Sequence, residues 1–343
     1  MNNVVDLRSD TVTRPTQAMR QAMYEAEVGD DVYGEDPTVL ELEQIAADIV
    51  GMEAGLFVSS GTQGNLLALL SHCGRGDEFI AGQAAHTYIA EGGGGAICGG
   101  IQSQPIDNEE DGTLDLDSVR KRIKPDDFHF AKTRLLCLED TFKGRALPLN
   151  YLEDARLLAS EHSLAFHLDG ARVFNAATYQ SVAPVSITGK FDSVSFCLSK
   201  GLGTPIGSVL CSNVEKIKSA RRWRKVIGGG WRQAGVLAAA GIYALKHNIQ
   251  RLSEDHGNAG LLANGLSDIE EVYVNWPAVQ TNMVYISVSD TALPNLQDYL
   301  FKKGILIEGN NPIRLVTHLD VDEKGIHSAV AAFKSFFQAH HAT

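Results

Sequence analysis

Short apolar segments that alternate with helical segments are the feature that most limits how this 343-residue chain can fold. The helical segments, such as 38–50, carry apolar residues at intervals of three and four and end at glycine. This alternation predicts an α/β fold in which helices cover both faces of a largely parallel sheet, with ligand-binding loops at the carboxyl ends of the strands. The predicted strands span 55–58, 78–81, 134–138, 164–168, 192–197 and 207–211.

The pattern changes near Asn248. A polar helix over 249–266 and an amphipathic helix over 321–337 are predicted to enclose strands over 271–276, 282–288, 304–307 and 313–317. We therefore expect three parts: an N-terminal arm over 1–37 that contributes to the active site, a large ligand-binding domain over 38–247, and a small α+β domain over 248–343.

Composition and charge restrict the possible partners. With 44% hydrophobic residues the chain can bury a large core. A net charge of -12 and a pI near 5.4 argue against nucleic acid or an anionic membrane surface as a partner. Six basic residues that cluster in the sequence are predicted to form a solvated helix face: Lys216, Lys218, Arg221, Arg222, Arg224 and Lys225.

Cysteine usage and the N-terminus bear on localisation. The five cysteines lie in apolar stretches without metal-ligand spacing, which predicts reduced core thiols in a cytosolic protein: Cys73, Cys98, Cys137, Cys197 and Cys211. Residues 1–6 lack a signal segment, and no stretch of the sequence approaches ~18 uninterrupted apolar residues. We expect a cytoplasmic protein that is neither secreted nor inserted into a membrane.

Lys200 is the first candidate for a catalytic residue. It follows an apolar run and precedes a glycine-rich turn, where poor solvation favours the neutral, nucleophilic amine. Alone, a lysine in this setting is more often a solvated loop residue. Asp169, however, ends the predicted strand before it. A carboxylate for the pyridinium nitrogen and a lysine for the Schiff base are the two groups that pyridoxal 5′-phosphate (PLP) requires.

A phosphate site is predicted where the strand over 55–58 leads through a small polar turn into a helix. The N–H groups of Gly61, Thr62 and Gln63 would face an anion from the helix N-terminus. A plain helix cap at Ser60 or Thr62 explains the turn equally well. A nucleotide is disfavoured, because the turn has neither the glycine spacing of a dinucleotide site nor the lysine of a P-loop.

Two histidines complete the candidate site. His86 follows a predicted strand and could lie flat on the cofactor ring, and His129 could act on substrate as a base. A structural role is the alternative for each. No cluster of histidine and acidic residues at ligand spacing stands apart from this set, so no metal site is predicted.

Five separated blocks, in the same order along nearly the whole chain, resemble the low-specificity L-threonine aldolases. They are DLRSDTVT at 6–13, GDDVYGEDP at 29–37, HLDGAR at 167–172, SKGLG at 199–203 and RLVTH at 314–318. The resemblance implies the aspartate aminotransferase-like PLP fold (fold type I), with a mainly parallel seven-stranded sheet in the large, PLP-binding domain. It also implies a homotetramer, a dimer of dimers with active sites at subunit interfaces. The implied reaction is reversible cleavage of L-threonine or L-allo-threonine to glycine and acetaldehyde.

The resemblance also implies roles for individual residues. Lys200 would form the Schiff base, Asp169 would partner the ring nitrogen and His86 would stack on the ring. The cofactor-binding set as a whole would be Gly61, Thr62, His86, Asp169, Arg172, Lys200 and Arg232, the last from the neighbouring subunit. Ser9, Arg172 and Arg314 would clamp the substrate carboxylate, with Tyr33 and Lys225 lining the site across the interface. His86 and His129 are both candidates for handling the β-hydroxyl proton.

Two positions depart from the family pattern. Glu-Asp-Thr-Phe at 139–142 stands where the family usually has Glu-Asn-Thr-His, so Phe142 replaces an imidazole. Ala90 stands where a bulkier side chain is usual. Together they predict a roomier and more apolar pocket on the aldehyde side of the site.

Three other functions remain as alternatives. The first is another fold-type-I lyase acting on β-hydroxy or β-substituted amino acids, such as a phenylserine aldolase or a β-eliminating lyase. The second is a PLP-fold sensor without turnover, which is disfavoured because Lys200, Asp169 and the carboxylate clamp are all present. The third is a metal-dependent aldolase, which the lack of a separate ligand cluster disfavours.

Overall fold

The computed structural model describes residues 4–341, so the first three residues of the predicted arm and the last two of the chain lie outside it. Its strands are β1 (Val5–Asp6), β2 (Ala54–Val58), β3 (Asp77–Gly82), β4 (Gln102–Ile106), β5 (Lys132–Glu139), β6 (Ala165–Asp169), β7 (Ser193–Cys197), β8 (Ser208–Ser212), β9 (Tyr273–Val274), β10 (Met283–Ser287), β11 (Ile305–Leu306) and β12 (Ile313–Val316).

The helices follow the predicted alternation with the strands. They are α1 (Gln17–Tyr24), α2 (Pro37–Val50), α3 (Gly61–His72), α4 (His86–Ile89), α5 (Leu116–Arg122), α6 (Leu149–Glu161), α7 (Val173–Gln180), α8 (Pro184–Thr188), α9 (Val214–Val226), α10 (Gly235–His247), α11 (Leu252–Ser267), α12 (Leu293–Lys302) and α13 (Glu323–His341). Short 3₁₀ turns at Asp10–Val12 and Trp276–Ala278 and a π-helical turn at Gly95–Gly99 complete the described elements.

The main sheet has seven strands in the order β2-β8-β7-β6-β5-β3-β4. Only β8 runs against its neighbours, so the carboxyl ends of the other six strands share one edge. Helices α3 and α9 pack on one face, while α2, α6, α7 and α10 enclose the larger apolar core on the other. The predicted α/β fold with a mainly parallel, doubly covered sheet is confirmed.

Strand β4 and helix α12 are among the elements that the sequence analysis did not predict. Strand β4 lies at the sheet edge, begins with three consecutive polar residues and contains Pro105, which lacks the N–H that an inner strand needs. Helix α12 has Pro294 in its first turn, where proline is tolerated because that N–H has no intrahelical acceptor. Both prolines therefore occupy positions where the missing donor costs little.

The C-terminal part has a core of its own. Strands β12, β10 and β9 form an antiparallel sheet, and α11 and α13 pack beside it around residues such as Phe333. The N-terminal strand β1 pairs in parallel with β11, and Val5 and Leu7 belong to this same core. The division at residues 37 and 247 stays a prediction.

Two expectations about surface and core were wrong for one residue each. Arg224 is 2% exposed, although it belongs to the basic run predicted as a solvated face. Its guanidinium donates to Asp31 Oδ2 (2.5 Å) and to the Phe57 carbonyl (2.7 Å), because a buried cation needs such partners. Cys98 is an exposed free thiol on the π-helical turn, whereas the other four cysteines are buried free thiols.

Within residues 4–341, no helix is both long and apolar enough to span a bilayer.

Candidate active site

Four of the predicted site residues, Asp169, Lys200, His86 and Gly61, converge on the carboxyl edge of the main sheet. Asp169 ends β6, and Lys200 follows three residues after the end of β7. His86 begins α4 just beyond β3, and the α3 N-terminus at Gly61 follows β2. Because these strands are parallel, residues distant in sequence come together at one edge, as predicted.

Asp169 is a buried carboxylate with defined partners. It is 3% exposed, its Oδ2 accepts from Asn65 Nδ2 (2.8 Å), and its Oδ1 accepts from the Ala171 N–H (3.2 Å). A carboxylate oxygen carries two lone pairs, so acceptor capacity remains for a further donor. A pyridinium N–H is a donor of this kind.

His86 is held at its Nδ1 atom. Glu91 Oε1 lies 2.8 Å from that nitrogen, and the His86 backbone N–H donates to Glu139 Oε2 (2.7 Å). The hydrogen bond with Glu91 and the charge of Asp169 raise the pKa of His86. Burial, together with the charge of Asp169, raises the pKa of Glu91 and brings that of Glu139 to about 7.

Arg172 forms a bidentate ion pair with Asp10 of the N-terminal arm. Its Nε and Nη2 atoms donate to the two carboxylate oxygens at 2.7 and 2.6 Å, and Asp10 is fully buried. Burial opposes ionisation of Asp10 and is the largest single effect on its pKa. The charge and hydrogen bonds of Arg172, together with Lys200 and Asn282, outweigh burial and lower the pKa of Asp10 to about 2. The arm therefore fixes this guanidinium beside the lysine.

The turn before α3 contains both a helix cap and a candidate phosphate site. Ser60 Oγ caps the helix by accepting from the Gln63 N–H (3.1 Å). The N–H groups of Gly61 and Thr62 precede the first intrahelical bond and remain free of helical acceptors. A Cβ on Gly61 would lie 2.9 Å from Cys197 Sγ, so a larger residue at this turn would crowd that side chain. The turn thus offers two N–H donors to an anion.

Comparisons with known proteins agree with this geometry. A family model described as β-eliminating lyase matches residues 6–289. The low specificity L-threonine aldolase of Escherichia coli strain K12 is 52% identical over 333 residues, which are 97% of this chain and 99% of that protein. The chain belongs to the low-specificity L-threonine aldolase family. The predicted family and the lyase class are therefore confirmed.

Solved structures show the same fold at lower identity. A threonine aldolase of Leishmania major aligns with a TM-score of 0.82 at 20% identity, over 96% of this chain and 99% of that one. A structure of SPT with PLP aligns with a TM-score of 0.77 at 18% identity, over 98% and 88%. These likenesses show the fold of the family.

Several residues that the family resemblance assigns to the site have no hydrogen bond or ion pair with Lys200 or Asp169 within residues 4–341. Tyr33 is 74% exposed and Lys225 is exposed, while Arg232 pairs with Asp30 (2.8 Å). His129 is exposed and lies 2.7 Å from Asp127. All four lie on the surface of the single chain.

The remaining two carboxylate-clamp residues lie on the small-domain side. Arg314 on β12 is exposed, and its Nη2 donates to the Arg8 carbonyl (3.3 Å). Ser9 is half-buried, and its Oγ accepts from the Thr11 N–H (3.3 Å) at the start of the first 3₁₀ turn. Arg314 has no acidic partner among the described residues, so its charge is available to a substrate carboxylate.

Phe142 does not contribute an open apolar wall. The ring is 3% exposed, it fills the space beside Gly112, and the Lys143 ammonium lies 5.1 Å from its centroid. Ala90, in contrast, is exposed at the end of α4, four residues after His86. Any enlargement of the pocket must therefore come from Ala90.

The sequence analysis missed three residues that support the site: Asp10, Asn65 and Glu91. Asp10 stands in the 6–13 block and Glu91 five residues after His86, while Asn65 directly precedes the apolar run 66–70 of α3. Ligand atoms of His86, Glu91 and Asp169 lie within 4.8 Å of one another. We assign them no metal, because the Asn65 amide already donates to both carboxylates.

Proposed function

We propose that this chain is a PLP-dependent aldolase that cleaves L-threonine and L-allo-threonine reversibly to glycine and acetaldehyde, with broad tolerance for other β-hydroxy-α-amino acids. The observation that carries the proposal is the convergence of Lys200, Asp169, His86 and Arg172 at one sheet edge in a chain of this family. The expected cofactor agrees with the family and with the PLP-containing structure of the same fold.

The residues of the site fit PLP. The free N–H groups of Gly61 and Thr62 would hold the phosphate, Asp169 would accept from the ring nitrogen, and Lys200 would hold the carbonyl carbon. When bound, PLP supplies an electron sink for the pair of electrons left when the Cα–Cβ bond breaks. Asp169 favours the protonated ring nitrogen, which strengthens that sink.

Arg172 and Arg314 would bind the substrate carboxylate and so orient the bond to be broken. We expect Arg314→Ala to raise KM by about 10- to 100-fold, since a charge-assisted hydrogen bond contributes roughly 1.5–3 kcal/mol, with little change in melting temperature. Arg172→Ala should raise KM as well and also destabilise the fold by about 3–5 kcal/mol, because it strands the buried Asp10 carboxylate. Steady-state kinetics and thermal unfolding separate the two effects. An unchanged KM for either variant would remove that arginine from substrate binding.

A base must accept the β-hydroxyl proton as the aldehyde leaves. Because Glu91 occupies Nδ1 of His86, its Nε2 is the atom available for this proton. His129 is the other candidate, and we place it second because it is exposed and, among residues 4–341, forms its ion pair with the exposed Asp127.

Glu91→Gln tests this assignment. The charge of Glu91 raises the pKa of His86, so its removal should lower that pKa and move the acidic limb of the kcat/KM profile to lower pH. The amide oxygen of glutamine can still accept from Nδ1–H, which preserves the orientation of the ring. His129→Gln should leave the limb where it is. If instead His129→Gln moves the limb and Glu91→Gln does not, His129 is the base.

Ala90 is proposed to leave room for large aldehydes. We expect phenylserine to be cleaved well beside L-allo-threonine, and Ala90→Phe to lower kcat/KM for phenylserine relative to L-allo-threonine. The change in preference should correspond to about 1–3 kcal/mol, the usual effect of a small change in pocket volume. Phe142→Leu serves as the control, since that buried ring should not alter the ratio. An unchanged ratio in Ala90→Phe would show that this position does not face the substrate.

The assembly and setting also belong to the proposal. A homotetramer, as a dimer of dimers, would bring Tyr33, Lys225 and Arg232 of one subunit to the site of the next, which accounts for their exposure in the single chain. We place the enzyme in the cytoplasm, in amino acid metabolism that degrades threonine and forms glycine.

An assay of aldehyde release tests the proposed activity. Aldehyde formed from L-threonine, L-allo-threonine and phenylserine is measured by coupled reduction, with and without added PLP. We expect PLP-dependent aldehyde release from all three. Release of ammonia and a keto acid in place of aldehyde would favour the β-eliminating alternative.

A further inference from the structure

Asn65 connects the two groups proposed to hold the cofactor ring. Its side chain is buried, and Nδ2 donates to Asp169 Oδ2 and to Glu91 Oε1, both at 2.8 Å. Glu91 Oε1 lies 2.8 Å from His86 Nδ1. A single buried amide thus joins the partner of the ring nitrogen to the imidazole on the ring.

Behind Asn65, a chain of polar side chains runs through the packed interior. Asn65 Oδ1 lies 3.2 Å from His167 Nε2 on β6. Ser193 Oγ on β7 lies 2.8 Å from His167 Nδ1 and 2.8 Å from His72 Nε2, at the end of α3. The close packing of α3 on the sheet makes this chain possible, since a Cβ on Gly64 would overlap the Ser195 hydroxyl.

The carboxylates fix the direction of these hydrogen bonds. Carboxylate oxygens accept, so the Asn65 NH₂ group must face Asp169 and Glu91, and its oxygen must face His167. An amide oxygen cannot donate, so His167 Nε2 carries a hydrogen. Burial and the neighbouring His72 lower the pKa of His167 to about 3, so the ring is neutral. Its Nδ1 therefore accepts from the Ser193 hydroxyl, although the Ser193 carbonyl is also 3.2 Å away.

The same reasoning extends to His72. The Ser193 hydroxyl uses its hydrogen toward His167, so its oxygen accepts from His72 Nε2–H. Burial and the charge of Lys216 lower the pKa of His72 to about 3, and its Nδ1 is buried without a partner among the described residues. From His72 to Asn65, each of these side chains therefore donates to the next one toward the carboxylates of Asp169 and Glu91.

We propose that Asn65 and His167 are positioning residues for the cofactor ring, with His167 locking the Asn65 amide in one orientation. A flipped amide would aim its oxygen at two carboxylates and its NH₂ at a protonated nitrogen, so the flip is disfavoured at both ends. The locked amide keeps Asp169 and the Glu91–His86 pair in place on either side of the ring. This inference rests on the proposed function only in assuming that PLP occupies the site.

Cofactor affinity of matched variants tests the positioning role. PLP is titrated into the cofactor-depleted wild type, Asn65→Leu, His167→Leu and His167→Gln, and the pH midpoint of the visible band is recorded for each. We expect both leucine variants to weaken PLP binding at least about tenfold and to move the midpoint. His167→Gln should recover most of the affinity, since its amide N–H can donate to Asn65 Oδ1.

Ser195→Ala is the matched control. Ser195 Oγ is buried beside α3 but has no hydrogen-bond partner among the described residues. Its removal should therefore leave the PLP affinity and the pH midpoint of the visible band unchanged. Leucine variants that bind PLP within twofold of the wild type, or glutamine that behaves like leucine, would overturn the proposal.

A neutron crystal structure of the PLP-loaded wild type provides a test that needs no variant. We expect deuterium on Nε2 and not on Nδ1 of both His72 and His167. Deuterium on His167 Nδ1, aimed at the Ser193 carbonyl, would overturn the proposal. Neither test measures cleavage, so a protein that binds PLP as described but releases no aldehyde would refute the proposed function alone.

Discussion

Lys200→Ala is expected to abolish covalent attachment of PLP and to lower turnover by at least ~10³-fold, because no other residue supplies the amine at this position. Borohydride reduction followed by peptide mass spectrometry should locate the cofactor on the peptide containing Lys200 in the wild type. The variant should yield no modified peptide. Attachment to a peptide that lacks Lys200 would overturn the assignment.

Lys190→Ala is a suitable control for the lysine substitution. The Lys190 ammonium pairs with Glu153 (3.1 Å) away from the proposed site residues, and surface pairs of this kind contribute at most about 1 kcal/mol. It should keep wild-type attachment and turnover. A comparable loss in this variant would indicate a general effect of removing lysine.

Asp169→Asn is expected to retain PLP while losing at least ~10²-fold in turnover. An amide in place of the carboxylate no longer favours a protonated ring nitrogen, and one strong electrostatic contribution to the transition state is lost. In the wild type, Asp169 Oδ2 accepts a hydrogen bond from the Asn65 side-chain NH₂. The NH₂ group of the new asparagine would face that donor if it occupied the Oδ2 position. Bound cofactor is quantified by absorbance and turnover by aldehyde release.

Asp192→Asn is the matched control for this second prediction. Asp192 precedes β7 at the opposite edge of the same sheet, where it accepts from Arg156 (3.0 Å) and from the Phe166 N–H (2.8 Å). Asp192→Asn makes the same chemical change away from the site, so it tests whether loss of a carboxylate lowers turnover by destabilising the fold. Near-normal turnover of Asp169→Asn would refute the role given to that carboxylate.

The sequence predicted the sheet well because its inner strands are short, apolar and bounded by turns. Strands β6 and β7 are buried along nearly their whole length, so apolar residues still mark them as strands ending at Asp169 and near Lys200, although His167, Ser193 and Ser195 interrupt the apolar pattern. Strand β4 was not predicted because an edge strand need not be buried on both faces or carry a mainly apolar sequence.

Local sequence patterns predicted the site residues at strand ends but not those whose roles depend on distant contacts. Lys200 and Asp169 each stand at the end of a recognisable strand, whereas the roles of Asp10 and Asn65 depend on contacts 162 and 104 residues away. Arg224 was misassigned for the same reason, since its partner Asp31 lies 193 residues earlier. Pairings at such separations follow from the fold and not from spacing.

The central claim is that this chain breaks the Cα–Cβ bond of a β-hydroxy amino acid, and carbon-13 NMR tests it most directly. Uniformly labelled L-allo-threonine is incubated with the PLP-loaded protein, with Lys200→Ala as the blank. We predict that labelled glycine and acetaldehyde appear in equal amounts as the substrate signal falls. Formation of a labelled four-carbon keto acid with release of ammonia would contradict the account.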